Sequence, residues 1–177
     1  MRRFPLSMIV LIMGVSGSGK STIGRRLADA LHWTFVDADS FHSQVNIEQM
    51  RVGRPLSERD RAPWLHAIRA AIVGWIRKEQ NVVLACSALT AASRRILIPD
   101  RHSIALVYLK GSYDLIQARL AQRTHPFMPQ ELLASQFDTL EEPADALTID
   151  AASPPETITA HITAYLRSAL YQNTSRL

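Results

Sequence analysis

Apolar positions in this chain come in short unbroken runs, at Ile9 to Met13, Phe35-Val36, Val82 to Leu84, Ile104 to Leu109 and Leu147 to Ile149, each bounded by turn, charged or small residues. Short runs rich in β-branched side chains predict strands, and strands apolar on both faces fit a parallel sheet covered by helices. Between them, apolar residues recur at helical spacing over Ser21 to Leu31, Trp64 to Lys78, Ala91 to Ile98, Tyr113 to Gln122 and Pro129 to Leu140. A last helix is predicted over Pro155 to Leu170, opening on a proline where a missing N–H costs little. This alternation predicts a doubly wound α/β domain that binds its ligands at the carboxyl ends of the strands. Two stretches break the alternation, His42 to Pro63 and Thr124 to Pro129, and both carry charged, proline or glycine residues. Inserts of that kind at the ligand edge are candidates for a substrate-binding element (42–63) and a lid (124–129).

Composition changes this picture little. A chain of 177 residues fits one domain, and 47% hydrophobic with 20% charged residues is ordinary for a globular protein. No apolar run is long enough to cross a bilayer. Met1-Arg2-Arg3 followed by Ser7 to Met13 has the outline of a signal peptide, but cleavage there would fall beside the glycine-rich loop that follows, so the stretch is read as a buried strand. The single cysteine, Cys86, cannot form an intramolecular disulfide, and cytoplasm is the default location. The net charge of +4 is spread along the chain without a basic run. The charge alone does not decide between nucleic acid and small anionic ligands, but its scatter and the lack of an aromatic-basic motif predict no nucleic-acid partner.

The candidate chemistry begins at Gly14-Val15-Ser16-Gly17-Ser18-Gly19-Lys20-Ser21, which matches the P-loop pattern between the first strand and the first helix. Glycines let successive N–H groups turn inward onto phosphate oxygens, and a side chain at Gly17 or Gly19 would obstruct that approach. Lys20 is placed to neutralise β- and γ-phosphates, Ser21 offers its hydroxyl to magnesium, and the helix N-terminus favours an anion. Expected nucleotide contacts are Gly14, Ser16, Gly17, Ser18, Gly19, Lys20, Ser21 and Thr22. Asp37 and Asp39, at the end of the second strand, can divide two tasks, holding the metal's water ligands and accepting the acceptor's proton; a surface turn would read the same. Arg59, Arg61 and His42 flank them, and an arginine there could grip an acidic substrate. Arg119 and Arg123 share a helical face before the lid stretch, where an arginine could reach a transferring phosphoryl group or simply meet solvent. Trp64 and Trp75 are read as core residues, and Cys86 as a small buried residue rather than a nucleophile.

Taken in order, these residues resemble the gluconokinase family of small P-loop sugar-acid kinases. The similarity is carried by Met13 to Ser21, Asp37-Ala38-Asp39 with His42, Asn46-Ile47-Glu48 with Met50, and Gly53-Arg54-Pro55-Leu56. It continues through Asp60-Arg61 with Pro63-Trp64-Leu65, Cys86-Ser87-Ala88-Leu89 with Arg94, Tyr108-Leu109-Lys110-Gly111, and Ser135-Gln136-Phe137 with Thr139-Leu140-Glu141. The resemblance implies a three-layer P-loop fold of the nucleoside-monophosphate-kinase type, ATP and Mg2+ as cofactors, gluconate as substrate and a homodimer. It further implies that Asp39 contacts the acceptor hydroxyl, Asp37 holds magnesium through water, and Arg61 with His42 positions the substrate. Arg123 becomes the lid arginine and Arg119 packs near the adenine. The chain departs from the family at Thr90 and Ser93, usually lysine and tyrosine, and at Thr124-His125-Pro126, usually Lys-Gly-His. A kinase for another hydroxy acid, such as shikimate, would use the same P-loop and aspartates, but Cys86-Ser87-Ala88 stands where a glycine pair would be expected.

Overall fold

The computed structural model describes residues 7–122 and 130–174. In chain order the elements are β1 (Ile9–Met13), α1 (Lys20–Leu31), β2 (Thr34–Asp37), a 3-10 turn (Ala38–Phe41), α2 (Gln44–Arg51), α3 (Glu58–Arg77) and β3 (Val82–Ala85). They continue with α4 (Ala91–Leu97), β4 (Ile104–Lys110), α5 (Tyr113–Ala121), α6 (Gln130–Thr139), β5 (Leu147–Asp150) and α7 (Pro155–Thr174). Among the described residues the five strands pair in parallel in the order β2-β3-β1-β4-β5.

Strand alternation explains the layers. Ile9, Leu11 and Met13 of β1 point to one face, where α3 covers them with Trp64, Leu65, Ile68 and Ile72. Val10 and Ile12 point to the other, against Ile23 and Leu27 of α1 and Ile158, Ile162 and Leu166 of α7. Both faces of β1 are therefore dry, as the unbroken apolar run predicts, and each fully buried Leu or Ile contributes about 1.5–3 kcal/mol. A third cluster of Val15, Leu89, Ile116 and Leu133 closes the carboxyl edge, where α5 and α6 meet the first loop.

The stretch 42–63 departs from expectation in two ways. It contains a helix of its own, α2, started by Ser43, whose hydroxyl accepts from Asn46 N–H. And α3 begins at Glu58, not after Pro63. Ser57 and Asp60 form a reciprocal capping box that supplies the first turn's missing partners. Pro63 then removes one hydrogen bond from a helix already started, which bends the odds without stopping it.

Candidate active site at the carboxyl edge of the sheet

The loop leaving β1 is shaped by steric exclusion. Gly14 sits at φ +147, and a Cβ there would lie 2.7 Å from Ser18 Oγ and 2.8 Å from the Leu109 carbonyl oxygen. Gly17, at φ +84, would press a Cβ to 3.0 Å from side-chain atoms of Ile116 and Leu120. Gly19 differs: no atom crowds it, and its requirement is the left-handed backbone, φ +101, that starts α1. No side chain caps α1 and no acidic residue occupies its first turn, so its first N–H groups are left for an external anion. Ser18 Oγ is buried in the same cradle without a partner among the described residues. These are the features a polyphosphate would satisfy.

Lys20 Nζ donates to the Val15 carbonyl at 3.0 Å, folding the ammonium back over the loop. Ser21 Oγ donates to Asp37 Oδ2 at 2.6 Å, tying α1 to the end of β2. The other oxygen of Asp37 accepts from Asp39 N–H at 3.1 Å and so caps the 3-10 turn. A serine hydroxyl beside a carboxylate is the hard-oxygen pair that magnesium uses while keeping most of its waters, so these residues fit that ion.

Asp39 lies on the 3-10 turn, accessible to solvent yet with protein crowding its carboxyl. Lost hydration raises its carboxyl above the ordinary value of 3.8, the charge of Asp37 pushes the same way, and Lys20 and His42 partly offset both. His42 lies flat on Trp64, with ring centroids 4.4 Å apart and planes 4° from parallel. Its burial lowers its pKa from 6.5 against the opposing pull of Asp39, and its Nδ1 has no partner among the described residues. Trp64 Nε1 in turn donates to the Ala38 carbonyl at 2.8 Å, so the indole fastens the turn carrying Asp39 and His42 onto α3. Trp64 is thus a core residue, as expected, and also a wall of the site, which its spacing alone did not reveal. Arg61 is half-buried one turn before Trp64, on the same helical face.

On the other side of the loop, Gly17, Ser18, Gly19 and Thr22 line a cleft of about 190 Å³ with Arg119 and the segment after β5. Arg119 Nη2 donates to the Ala151 carbonyl at 2.7 Å and is held against that segment. A larger open groove, about 550 Å³, runs between α1 and α7 away from these residues. Arg123 and residues 124–129, the expected lid, lie outside the described residues.

The loop between β3 and α4 completes the edge. Gly14 N–H reaches the Ser87 carbonyl at 3.4 Å, and Ala88 holds a left-handed φ of +43. Arg94 steadies that strained turn by donating to the carbonyls of Ala88 and Leu89 at 3.0 and 2.9 Å, while Glu141 accepts from Ala91 N–H at 2.6 Å. From α6, Gln136 Oε1 accepts from Ser16 N–H at 2.7 Å. Gln136, Arg94 and Glu141 had only their place in a motif to single them out. Thr90 and Ser93, the two departures, make a local cap: Thr90 Oγ1 accepts from Ser93 N–H at 3.1 Å and starts α4. Cys86 is 1% exposed with its thiol pushed up to about 12 by burial, which suits an inert packing residue.

Comparison with known proteins adds sequence relatives to this geometry. The model of the shikimate kinase family matches residues 16–167. A probable gluconokinase of Mus musculus is 46% identical over 153 residues, spanning 77% of this chain and 83% of the relative. The thermoresistant gluconokinase of Escherichia coli K12 is 39% identical, spanning 86% of this chain and 89% of the relative. The crystal structure of a gluconokinase from Sinorhizobium meliloti 1021 superposes with a TM-score of 0.85 at 36% identity, covering 99% of both chains.

Proposed function

The chain belongs to the shikimate kinase family of P-loop kinases and, within it, to the gluconokinases, and from that membership we propose that it transfers the γ-phosphoryl group of ATP to D-gluconate, yielding ADP and 6-phosphogluconate. The observation that carries this reading is the juxtaposition of Lys20, on the phosphate loop, with Asp39, on the turn beyond β2, close enough that the lysine charge offsets part of the rise in the Asp39 carboxyl, while Ser21 Oγ ties the same loop to Asp37 at 2.6 Å. A phosphate cation and, beside it, an acceptor-facing carboxylate are the two things an in-line transfer needs.

Asp39 takes the proton of the attacking hydroxyl as the new O–P bond forms and the bond to the β-phosphate oxygen breaks. Its raised pKa makes it a better base than a solvated aspartate. Lys20 and the N–H groups of the first turn of α1 receive the charge that builds on the phosphate oxygens. Ser21 and Asp37 would hold magnesium, which supplies charge neutralisation to the β- and γ-oxygens when bound. His42 and Arg61 orient gluconate, Gly14, Ser16, Gly17, Ser18, Gly19, Lys20, Ser21 and Thr22 contact the nucleotide, and Arg119 packs near the adenine. Arg123 is read as the lid arginine, residues 42–63 as the acceptor-binding insert and 124–129 as the lid. Family membership also supports a cytoplasmic homodimer; among the described residues no helix is long and apolar enough to cross a membrane.

ADP release measured with gluconate, with shikimate and without acceptor tests the proposal. Gluconate alone should stimulate turnover. Stimulation by shikimate or nucleic acid in its place would overturn it.

A further inference from the structure

The Val15–Ser16 peptide is held at both ends. Its carbonyl oxygen accepts from Lys20 Nζ at 3.0 Å, and its N–H donates to Gln136 Oε1 at 2.7 Å. One planar amide therefore separates the side chain of α6 from the ammonium that meets the phosphates. A peptide unit is rigid, so tilting its N–H tilts its carbonyl by the same angle. Accepting at the N–H also polarises the group and makes its oxygen a better acceptor for the lysine. The surroundings leave little other freedom: Val15 is buried with Leu133 of α6, and Ile116 packs into the same cluster.

We infer that Gln136 is a positioning residue for Lys20: through the Val15–Ser16 peptide it fixes the resting place of the phosphate-binding ammonium. It thereby couples α6, the helix that directly follows residues 123–129, to the phosphate loop. The inference deepens the proposed kinase reading and rests on it, because it assigns Gln136 a role only if Lys20 engages ATP. It also gives the Ser16 N–H a different partner from the nucleotide contact expected of that residue.

Two variants separate the hydrogen bond from bulk and packing. Gln136→Met keeps the length of the side chain but cannot accept, whereas Gln136→Glu keeps an oxygen in the accepting position. Steady-state kinetics with ATP and gluconate varied independently, alongside thermal unfolding, is the test. Gln136→Met should lower kcat/KM for ATP by about tenfold, the scale of one lost hydrogen bond at a half-buried donor, with the gluconate KM unchanged. Gln136→Glu should recover most of that loss. Wild-type ATP kinetics in Gln136→Met, equal losses in both variants, or a loss falling equally on both substrates would overturn the inference. Lys20→Ala serves as the reference: if it too leaves turnover intact, the kinase reading fails, and if it alone abolishes turnover, only the role of Gln136 does.

Discussion

The loop from Gly14 to Ser21 and the segment from Asp37 to Trp64 meet across the Ser21–Asp37 hydrogen bond, yet they keep their shapes by different means. The loop is a contiguous stretch whose backbone is dictated by glycines, each barred from carrying a side chain by a positive φ or by a neighbouring atom. The segment proposed to bind the acceptor contains no such constraint at Asp39 or His42. Asp39 and His42 are placed by side chains from elsewhere, chiefly the Trp64 indole, and α2 is tied to the start of α3 by Asn46 Nδ2 donating to the Asp60 carbonyl at 2.9 Å. The phosphate half is thus conformationally encoded and the acceptor half is assembled by packing. Substitutions at the glycines that shape the first should be absolute, and those at the side chains that brace the second should be graded.

The largest effects test whether the two halves meet in one reaction. Lys20→Ala should lower kcat by about 10²–10³-fold by removing charge stabilisation from the transferring group. Asp39→Asn should lower it by about 10²–10⁴-fold by removing the base. Asp39 also sets a pH signature. Its raised carboxyl must be ionised to act, so the acidic limb of kcat/KM should lie above 3.8, and Asp39→Asn should abolish that limb. For stability the sign is opposite. A carboxyl whose folded pKa is raised favours the fold below its unfolded value and loses that contribution as pH climbs through the folded one. Asp39→Asn should therefore unfold at a slightly higher temperature than wild type at neutral pH while being nearly inactive. Near-normal turnover in Asp39→Asn with an inactive Asp37→Asn would reverse the roles assigned to the two aspartates.

Gly14→Ala comes next, as the sharpest test of conformational encoding. The new methyl would meet the Leu109 carbonyl at 2.8 Å, and the backbone there is at φ +147, so the cost should be about 3 kcal/mol, measured as a drop in denaturation midpoint. A stable, active Gly14→Ala would mean the loop is not held by its glycines.

How much of this was legible in the sequence follows the same division. The loop could be read directly because its constraint is local: glycine spacing, one lysine and one serine, between an apolar run and a helical pattern. The sheet was equally legible, since burial on both faces leaves unbroken apolar runs. The start of α3 was not, because Pro63 is a stronger local signal than the Ser57–Asp60 box that overrides it. The spacing of Trp64 marks it only as core, because burial and site-building look identical in a periodicity. Gln136 acts on a residue 120 positions away, and nothing in its own neighbourhood points there.

Arg61→Ala probes the assembled half more gently. A charge-assisted bond to a carboxylate is worth about 1.5–3 kcal/mol. The gluconate KM should therefore rise roughly tenfold or more, with kcat and the ATP KM little changed, because that binding is shared by ground and transition states. An unchanged gluconate KM would move the carboxylate contact to another residue.

Trp64→Phe is the smallest change and isolates the fastening of the acceptor turn. Phenylalanine can still stack on His42, so the 4.4 Å ring contact survives in kind, but it cannot donate to the Ala38 carbonyl. Loss of that one bond should cost about 1–2 kcal/mol of stability, since a buried acceptor is left without its donor. The kinetic consequence should fall on one side only: a several-fold rise in gluconate KM as the turn carrying Asp39 and His42 loosens, and an ATP KM that does not move. If both Michaelis constants rose together, the turn and the phosphate loop would be one mechanical unit. The hydrogen bond between Ser21 and Asp37 would then be a structural strut, not a boundary between two independently held halves.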